Sequence, residues 1–170
     1  IDMKQELLFG TVKINYKCIK DSDIIGLDVR DLVIDNVYDK NNVKLSFVIV
    51  KNNKNSIGDG LIVKFDKTCK TNEESYISIK YSTKQKSIGV HFSDRSVINE
   101  SSYGFMYTHG EAIYSRTVFP SQDTPIYKVT STAKIKVKNP YVVLYSGILK
   151  STEKSEDYLI YHYEMDKPIP

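Results

Sequence analysis

The chain has 170 residues, 41% of them hydrophobic and 26% charged, with a net charge of +3 from 24 basic and 21 acidic side chains. This is the composition of one ordinary folded domain, and the recurrence of Ile, Val, Leu, Tyr and Phe excludes a wholly disordered chain. No apolar run approaches the roughly 20 residues of a membrane-spanning helix, and the alternating Lys134, Lys136 and Lys138 read as a solvated strand face, so neither a membrane nor a nucleic-acid partner is expected.

The first residues, Ile1 to Glu6, lack a basic stretch followed by an apolar one, so no signal peptide is expected. Because Ile stands at position 1, the expectation is that a native N-terminal segment is missing. The dominant pattern from there is period two. Val12, Ile14, Tyr16 and Cys18 alternate with Lys13, Asn15 and Lys17, and Val43, Leu45, Phe47 and Ile49 share the side of a second segment. Leu61, Val63 and Phe65 repeat the pattern, as do Ile77, Ile79 and Tyr81, and later Val129, Ala133, Ile135 and Val137. Side chains alternate across a strand, so each segment has one apolar and one wet face, as half-buried antiparallel strands do. Asp39 to Asn42 and Asn52 to Asn55, the latter continuing through Ser56 to Gly60, read as turns, and 67–74 and 83–86 as further polar breaks. Ser151 to Asp157, short and charged, is predicted as a hairpin loop before a tyrosine-rich strand, Tyr158 to Met165. The closing Pro168-Ile169-Pro170 is predicted as an exit toward a linker or another domain. The expected fold is one all-β domain over 1–170, sandwich-like layers of antiparallel or mixed sheets with no long helix.

Chemistry is sparse. Cys18 and Cys69 are far apart without Cys-x-x-Cys spacing, which gives no disulfide framework; a reducing, cytoplasmic setting fits best, with room for one buried bridge at most. His91, His109 and His162 show no zinc-binding spacing and read as separate packing or surface groups. Asp59 with Asp66 and Asp21 with Asp23 are acids in loops, where aspartates usually fasten turns. Asn99-Glu100-Ser101 matches a glycosylation sequon, a triplet common by chance.

One segment breaks the alternation: Tyr107-Thr108-His109-Gly110-Glu111-Ala112-Ile113-Tyr114-Ser115-Arg116. Gly110 in a strand-like stretch predicts a bulge or a close backbone approach that aims Glu111 off the regular faces. Arg116 and Asp123 bracket the loop between Pro120 and Pro125 and can pair across it. On composition alone, Glu111 is a candidate ligand-binding carboxylate, weighed against an exposed acid beside a tight turn.

The stretch from Thr108 to Arg116, continued by Phe119-Pro120-Ser121-Gln122-Asp123-Thr124-Pro125, resembles a signature of the zinc aminopeptidase family that includes aminopeptidase N and leukotriene hydrolase. Thr108, Glu111, Ala112, Arg116, Pro120, Asp123 and Pro125 match its pattern, roughly Thr-Gln-x-[Glu/Gln]-Ala-x-x-x-Arg-x-x-x-Pro-x-x-Asp-x-Pro. The Gln122-Asp123-Thr124-Pro125 ending and the closing Pro168-Ile169-Pro170 are similar to the leukotriene hydrolase branch, and Leu27 to Asp35 to the family's leucine–aspartate strand. The resemblance implies a saddle of layered β sheets that packs against a catalytic domain of the same polypeptide. It places zinc, held by His-Glu-x-x-His and a distant Glu, in that domain, and neither that motif nor Gly-x-Met-Glu-Asn occurs in these residues. It gives Glu111, with His109 and Gly110 beside it, a substrate-binding role toward a peptide's N-terminus, and Arg116, Pro120, Asp123 and Pro125 a structural loop role. No residue of the chain is expected to be catalytic or to bind metal. Glu at 111 is closer to the plain aminopeptidases than to the epoxide hydrolase branch. His109 for the usual Gln, Gly110 for a bulkier residue and Ser121 for a common Cys depart from the pattern. Two other readings remain open on the sequence: a stand-alone β-sandwich binding module, and an adhesion sandwich glycosylated at Asn99.

Overall fold

The computed structural model describes residues 1–52, 57–93 and 104–170, and its strands fall into two compact units. Asn53 to Ser56, half of a predicted turn, and the sequon at Asn99 lie outside the described residues.

The larger unit comprises Leu8–His91 and Thr108–Asp123. It holds β1 (Phe9–Lys17), β2 (Ser22–Val29), β3 (Leu32–Tyr38), β4 (Lys44–Leu45), β5 (Phe47–Val50), β6 (Asp59–Cys69) and β7 (Glu74–Thr83). These form two antiparallel sheets, ordered β1-β7-β3-β4 and β2-β6-β5. The period-two pattern sets the register: Val12 pairs with Ile79 and Ile14 with Ile77, so apolar side chains of neighbouring strands share one face. In β6, Leu61, Val63 and Phe65 point inward while Lys64 and Asp66 face water. Val37, Leu61, Val63, Ile77 and Ile79 are wholly excluded from solvent, and a single core draws on both sheets. Tyr16 stacks on Phe65 across it, with ring centroids 5.4 Å apart. The segment predicted as one strand from Val43 to Ile49 is divided between the layers: β4 pairs with β3 and β5 with β6, on either side of Ser46. The turn at Asp39 to Asn42 forms as predicted, its Asp39 carboxylate accepting the Asn41 and Val43 N–H groups at 2.8 Å each.

Beyond β7, β8 (Val90–Ser93) and β9 (Phe105–Thr108) form a two-stranded pair. The smaller unit, Ile1–Leu7, Phe92–Tyr107 and Thr124–Pro170, contains β10 (Val129–Lys138), β11 (Ile148–Ser155) and β12 (Tyr158–Ile169), ordered β10-β12-β11. Val137, Val143, Tyr161 and Tyr163 form its core, and the Tyr163 hydroxyl donates to the Val143 carbonyl at 2.7 Å. Among the described residues the only helical element is a 3₁₀ turn at Ser115–Thr117.

Two expectations need correction. Ser151 to Ser155 belongs to a strand, and the hairpin turn is only Glu156 and Asp157; every residue of β11 is exposed, so an edge strand with two polar faces gives no alternating signal. Pro168 and Ile169 still belong to β12. The ladder slips there, with Ser131 opposite Met165 but Val129 opposite Ile169, and such an irregularity is where a strand tolerates proline. Cys18 and Cys69 are bonded to each other, the one buried bridge the sequence left room for.

Candidate functional site

The site grows out of the end of β9. His109 donates its N–H to the Gly89 carbonyl at 2.9 Å, and the chain then turns so that the Tyr114 N–H reaches the Gly110 carbonyl at 2.8 Å. Gly110 therefore lies in a turn rather than in a strand bulge. The expected close approach is there: a Cβ at Gly110 would come within 2.8 Å of the Ser115 hydroxyl. The turn presents Glu111 and Ala112, joined by a cis peptide bond, and both are exposed. Glu111 makes no side-chain hydrogen bond or ion pair among the described residues. The 3₁₀ turn follows at once. Thr117, wholly buried, donates both its N–H (2.9 Å) and its hydroxyl (2.7 Å) to the Tyr114 carbonyl.

Beneath this turn, Arg116 and Asp123 are buried together, 6% and 9% exposed. Arg116 Nε donates to Asp123 Oδ2 at 2.8 Å, its Nη2 to the Asp123 carbonyl at 2.8 Å, and its backbone N–H to the same Oδ2 at 3.1 Å. A third residue completes the cluster. Asp28 of β2 approaches Arg116 Nη1 with Oδ1 at 3.3 Å and accepts the Asp123 N–H with Oδ2 at 3.0 Å. Main-chain bonds run alongside: Asp28 N–H to the Ser121 carbonyl at 2.7 Å, and Arg30 N–H to the Arg116 carbonyl at 2.9 Å. A buried guanidinium costs several kcal/mol unless paired, and two carboxylates plus a carbonyl satisfy this one with the forked geometry that only Arg supplies. The pairing ties both ends of the segment from Arg116 to Asp123 to β2. Pro120 is buried within that segment and Pro125 is exposed.

Sequence reasoning missed Asp28, Gly89 and Thr117. Asp28 reads as one more polar residue in an alternating strand, and nothing local marks it as the partner of a guanidinium 88 positions on. A Cβ on Gly89 would land on the Thr117 hydroxyl, a close approach made only by the fold. Three of the other candidate acids are fasteners: Asp59 pairs with Lys51 at 2.6 Å, Asp21 with Lys70 at 2.9 Å, and Asp23 accepts the Thr68 hydroxyl at 2.6 Å; Asp66 lies exposed on β6. Among the described residues no group of three His, Cys, Asp or Glu side chains is placed to hold a metal ion. Two surface hollows of the larger unit, one by Asn15–Lys17 and Glu74–Tyr76 and one by Arg30, Lys51 and Lys84, do not include Glu111.

The family model of the peptidase M1 N-terminal domain matches residues 1–170. Leucine aminopeptidase 2 of Lodderomyces elongisporus is 28% identical over 170 residues, which is 100% of this chain and 25% of that protein. Leucine aminopeptidase 2 of Candida glabrata is 29% identical over 151 residues, 88% of this chain and 21% of that protein. Native yeast LTA4 hydrolase superposes with a TM-score of 0.83 at 26% identity, covering 100% of this chain and 26% of its own. The M1 zinc metallopeptidase of Deinococcus radiodurans shares the fold, with a TM-score of 0.76 at 14% identity over 96% of this chain and 36% of its own. The chain thus spans about a quarter of the length of the curated relatives it matches.

Proposed function

The chain belongs to the peptidase M1 N-terminal domain family, and from that premise we propose that it is the non-catalytic N-terminal domain of a zinc metallo-aminopeptidase, lending one wall of the active-site cleft and a contact to the substrate's amino terminus through Glu111. In this reading the partner is a catalytic domain of the same polypeptide, in keeping with relatives of which this chain matches about a quarter. Zinc supplies the Lewis acid there. The described residues of this chain offer no ligand set for it, so no step of the chemistry is assigned to a metal here.

One observation carries the proposal: Glu111 stands exposed and, among the described residues, unpaired on a turn fixed from below by the buried Arg116–Asp123 pair. A free carboxylate on a rigid support can accept a charge-assisted hydrogen bond from a substrate ammonium. Held there, the first residue of a peptide is kept in register with the reacting centre, and orientation is itself a large part of catalysis. His109 and Gly110 shape the approach, while Arg116, Pro120 and Asp123 keep the turn in place.

The test uses the full-length enzyme. Glu111→Gln keeps the shape and removes the charge, and losing one charge-assisted bond should cost roughly 1.5 to 3 kcal/mol, about ten- to 150-fold in kcat/KM for free-amine substrates. An unchanged KM and kcat would remove Glu111 from the site. The 170-residue chain by itself is expected to release no amino acid from an aminoacyl substrate.

A further inference from the structure

Cys18 and Cys69 are the chain's two cysteines, and they are joined to each other. Cys18 follows directly on β1 in the four-stranded sheet, and Cys69 ends β6 in the three-stranded sheet. The bond therefore ties the two layers of the larger unit together at one end of their shared core. Both residues are more than nine-tenths buried, at 8% and 5% exposed.

The corner that holds them is shaped by other interactions as well. Cys18 donates its N–H to the Glu73 carbonyl at 2.9 Å, and its own carbonyl accepts the Asn72 N–H at 2.7 Å. The Asp21 carboxylate takes the Thr71 N–H at 2.8 Å, the Thr71 hydroxyl at 3.0 Å and the Lys70 ammonium at 2.9 Å. These bonds bring the segment after β1 against the turn between β6 and β7, and leave the two Cα atoms 6.4 Å apart, within the span a disulfide bridges. The cysteines are 51 positions apart in sequence, so it is the packing of the sheets that makes them neighbours.

We propose that Cys18–Cys69 is a native oxidative modification of this chain, a structural cross-link that the protein acquires in an oxidising compartment. The reaction is thiol–disulfide exchange. One cysteine thiolate attacks an external disulfide, a protein oxidant or an oxidised small-molecule thiol, and forms a mixed disulfide. The second cysteine then displaces the external sulfur. The chain loses two protons and two electrons, and the oxidant leaves as the corresponding dithiol or thiol pair. Reduction must run the same path backwards, with a reductant thiolate approaching a sulfur from outside. Burial on both sides closes that approach while the unit is folded, which marks the bond as a fixed staple rather than a switch. Bonds of this kind persist in secreted and lumenal proteins and are rare where glutathione and thioredoxin keep thiols reduced.

The test starts from cells that make the full-length protein. They are quenched in acid, alkylated without reduction and digested with trypsin, which cuts after Lys17, Lys20, Lys67 and Lys70 and so releases Cys18-Ile19-Lys20 and Thr68-Cys69-Lys70. The expected product is the two tripeptides joined, unalkylated and lighter than their sum by the two hydrogens lost. Recovery of both tripeptides alkylated and separate, or of either joined to a different cysteine, would overturn the proposal. A second measurement follows reduction of the purified full-length protein by a mild thiol. The bond should open at least roughly tenfold more slowly in native buffer than in denaturant, as burial of both sulfurs requires, and equal rates in the two would refute the closed corner.

Discussion

Neutralising Asp123 gives the sharpest physical test of the scaffold under Glu111. In Asp123→Asn the side chain keeps its shape but loses the charge that faces Arg116 Nε at 2.8 Å. Removing one partner of a buried ion pair costs about 3–5 kcal/mol, because the other charge stays buried. Two contacts survive the change: the backbone carbonyl of residue 123 on Nη2, and Asp28 at 3.3 Å from Nη1. The loss should therefore sit near the lower bound, about 3 kcal/mol. The Asp28 side chain is 41% exposed; solvent screens its charge, and Asp28→Asn should cost no more than about 1 kcal/mol. Since both carboxylates serve one guanidinium, the double substitution should depart from the sum of the singles. The assay is urea unfolding of the 170-residue chain, followed by circular dichroism of its strands. With a slope of about 2 kcal/mol/M, a loss of about 3 kcal/mol lowers the midpoint by about 1.5 M. A midpoint for Asp123→Asn that stays within about 0.5 kcal/mol of the parent would refute the reasoning, as would a larger loss from Asp28→Asn than from Asp123→Asn.

Leu61→Ala removes a side chain wholly excluded from solvent between the two sheets and should destabilise the chain by about 2–5 kcal/mol in the same urea assay, whereas Val48→Ala, 60% exposed, should change little. Gly89→Ala pushes a methyl group onto Thr117 and against the His109 and Tyr114 carbonyls; on the proposed function, it should lower the aminopeptidase kcat/KM of the full-length protein by disturbing the Glu111 turn, an effect that Gly26→Ala, whose Cβ would meet only Ile62 at 3.5 Å, should not reproduce. Hydrogen bonds from Lys70 and then Thr71 hold the Asp21 carboxyl at about 2, below the ordinary 3.8. A depressed value in the folded state means that the stabilisation is complete above the unfolded value and is lost as pH falls toward the folded one. The unfolding midpoints of the parent and Asp21→Asn should thus converge between about pH 4 and 2, and a gap that stays constant across that window would show that the carboxylate does not act through its charge.

The strands were legible in the sequence wherever one face meets a core. Val12, Ile14 and Tyr16, or Leu61, Val63 and Phe65, announce themselves because alternate positions are half-buried or buried and the others wetter. The same physics hides β11, whose eight residues are all exposed and which is held by main-chain pairing to β12 rather than by side-chain burial. It also hides the crossing at Ser46, since a chain that passes from one sheet to the other around a common core keeps its apolar side inward throughout. The candidate site divides along the same line. Glu111, Arg116 and Asp123 lie within a dozen residues of one another, so their spacing alone brings them to notice. Asp28, Gly89 and the Cys18–Cys69 bond act at separations of 20 to 95 residues, through packing that no local pattern encodes. What the short motif cannot carry is its own rigidity: the turn that presents Glu111 is fixed by a guanidinium whose third oxygen ligand comes from another strand. A transplanted copy of residues 108–125 would keep every residue of the signature and lose the anchor on β2, and the carboxylate would then no longer be held in one place.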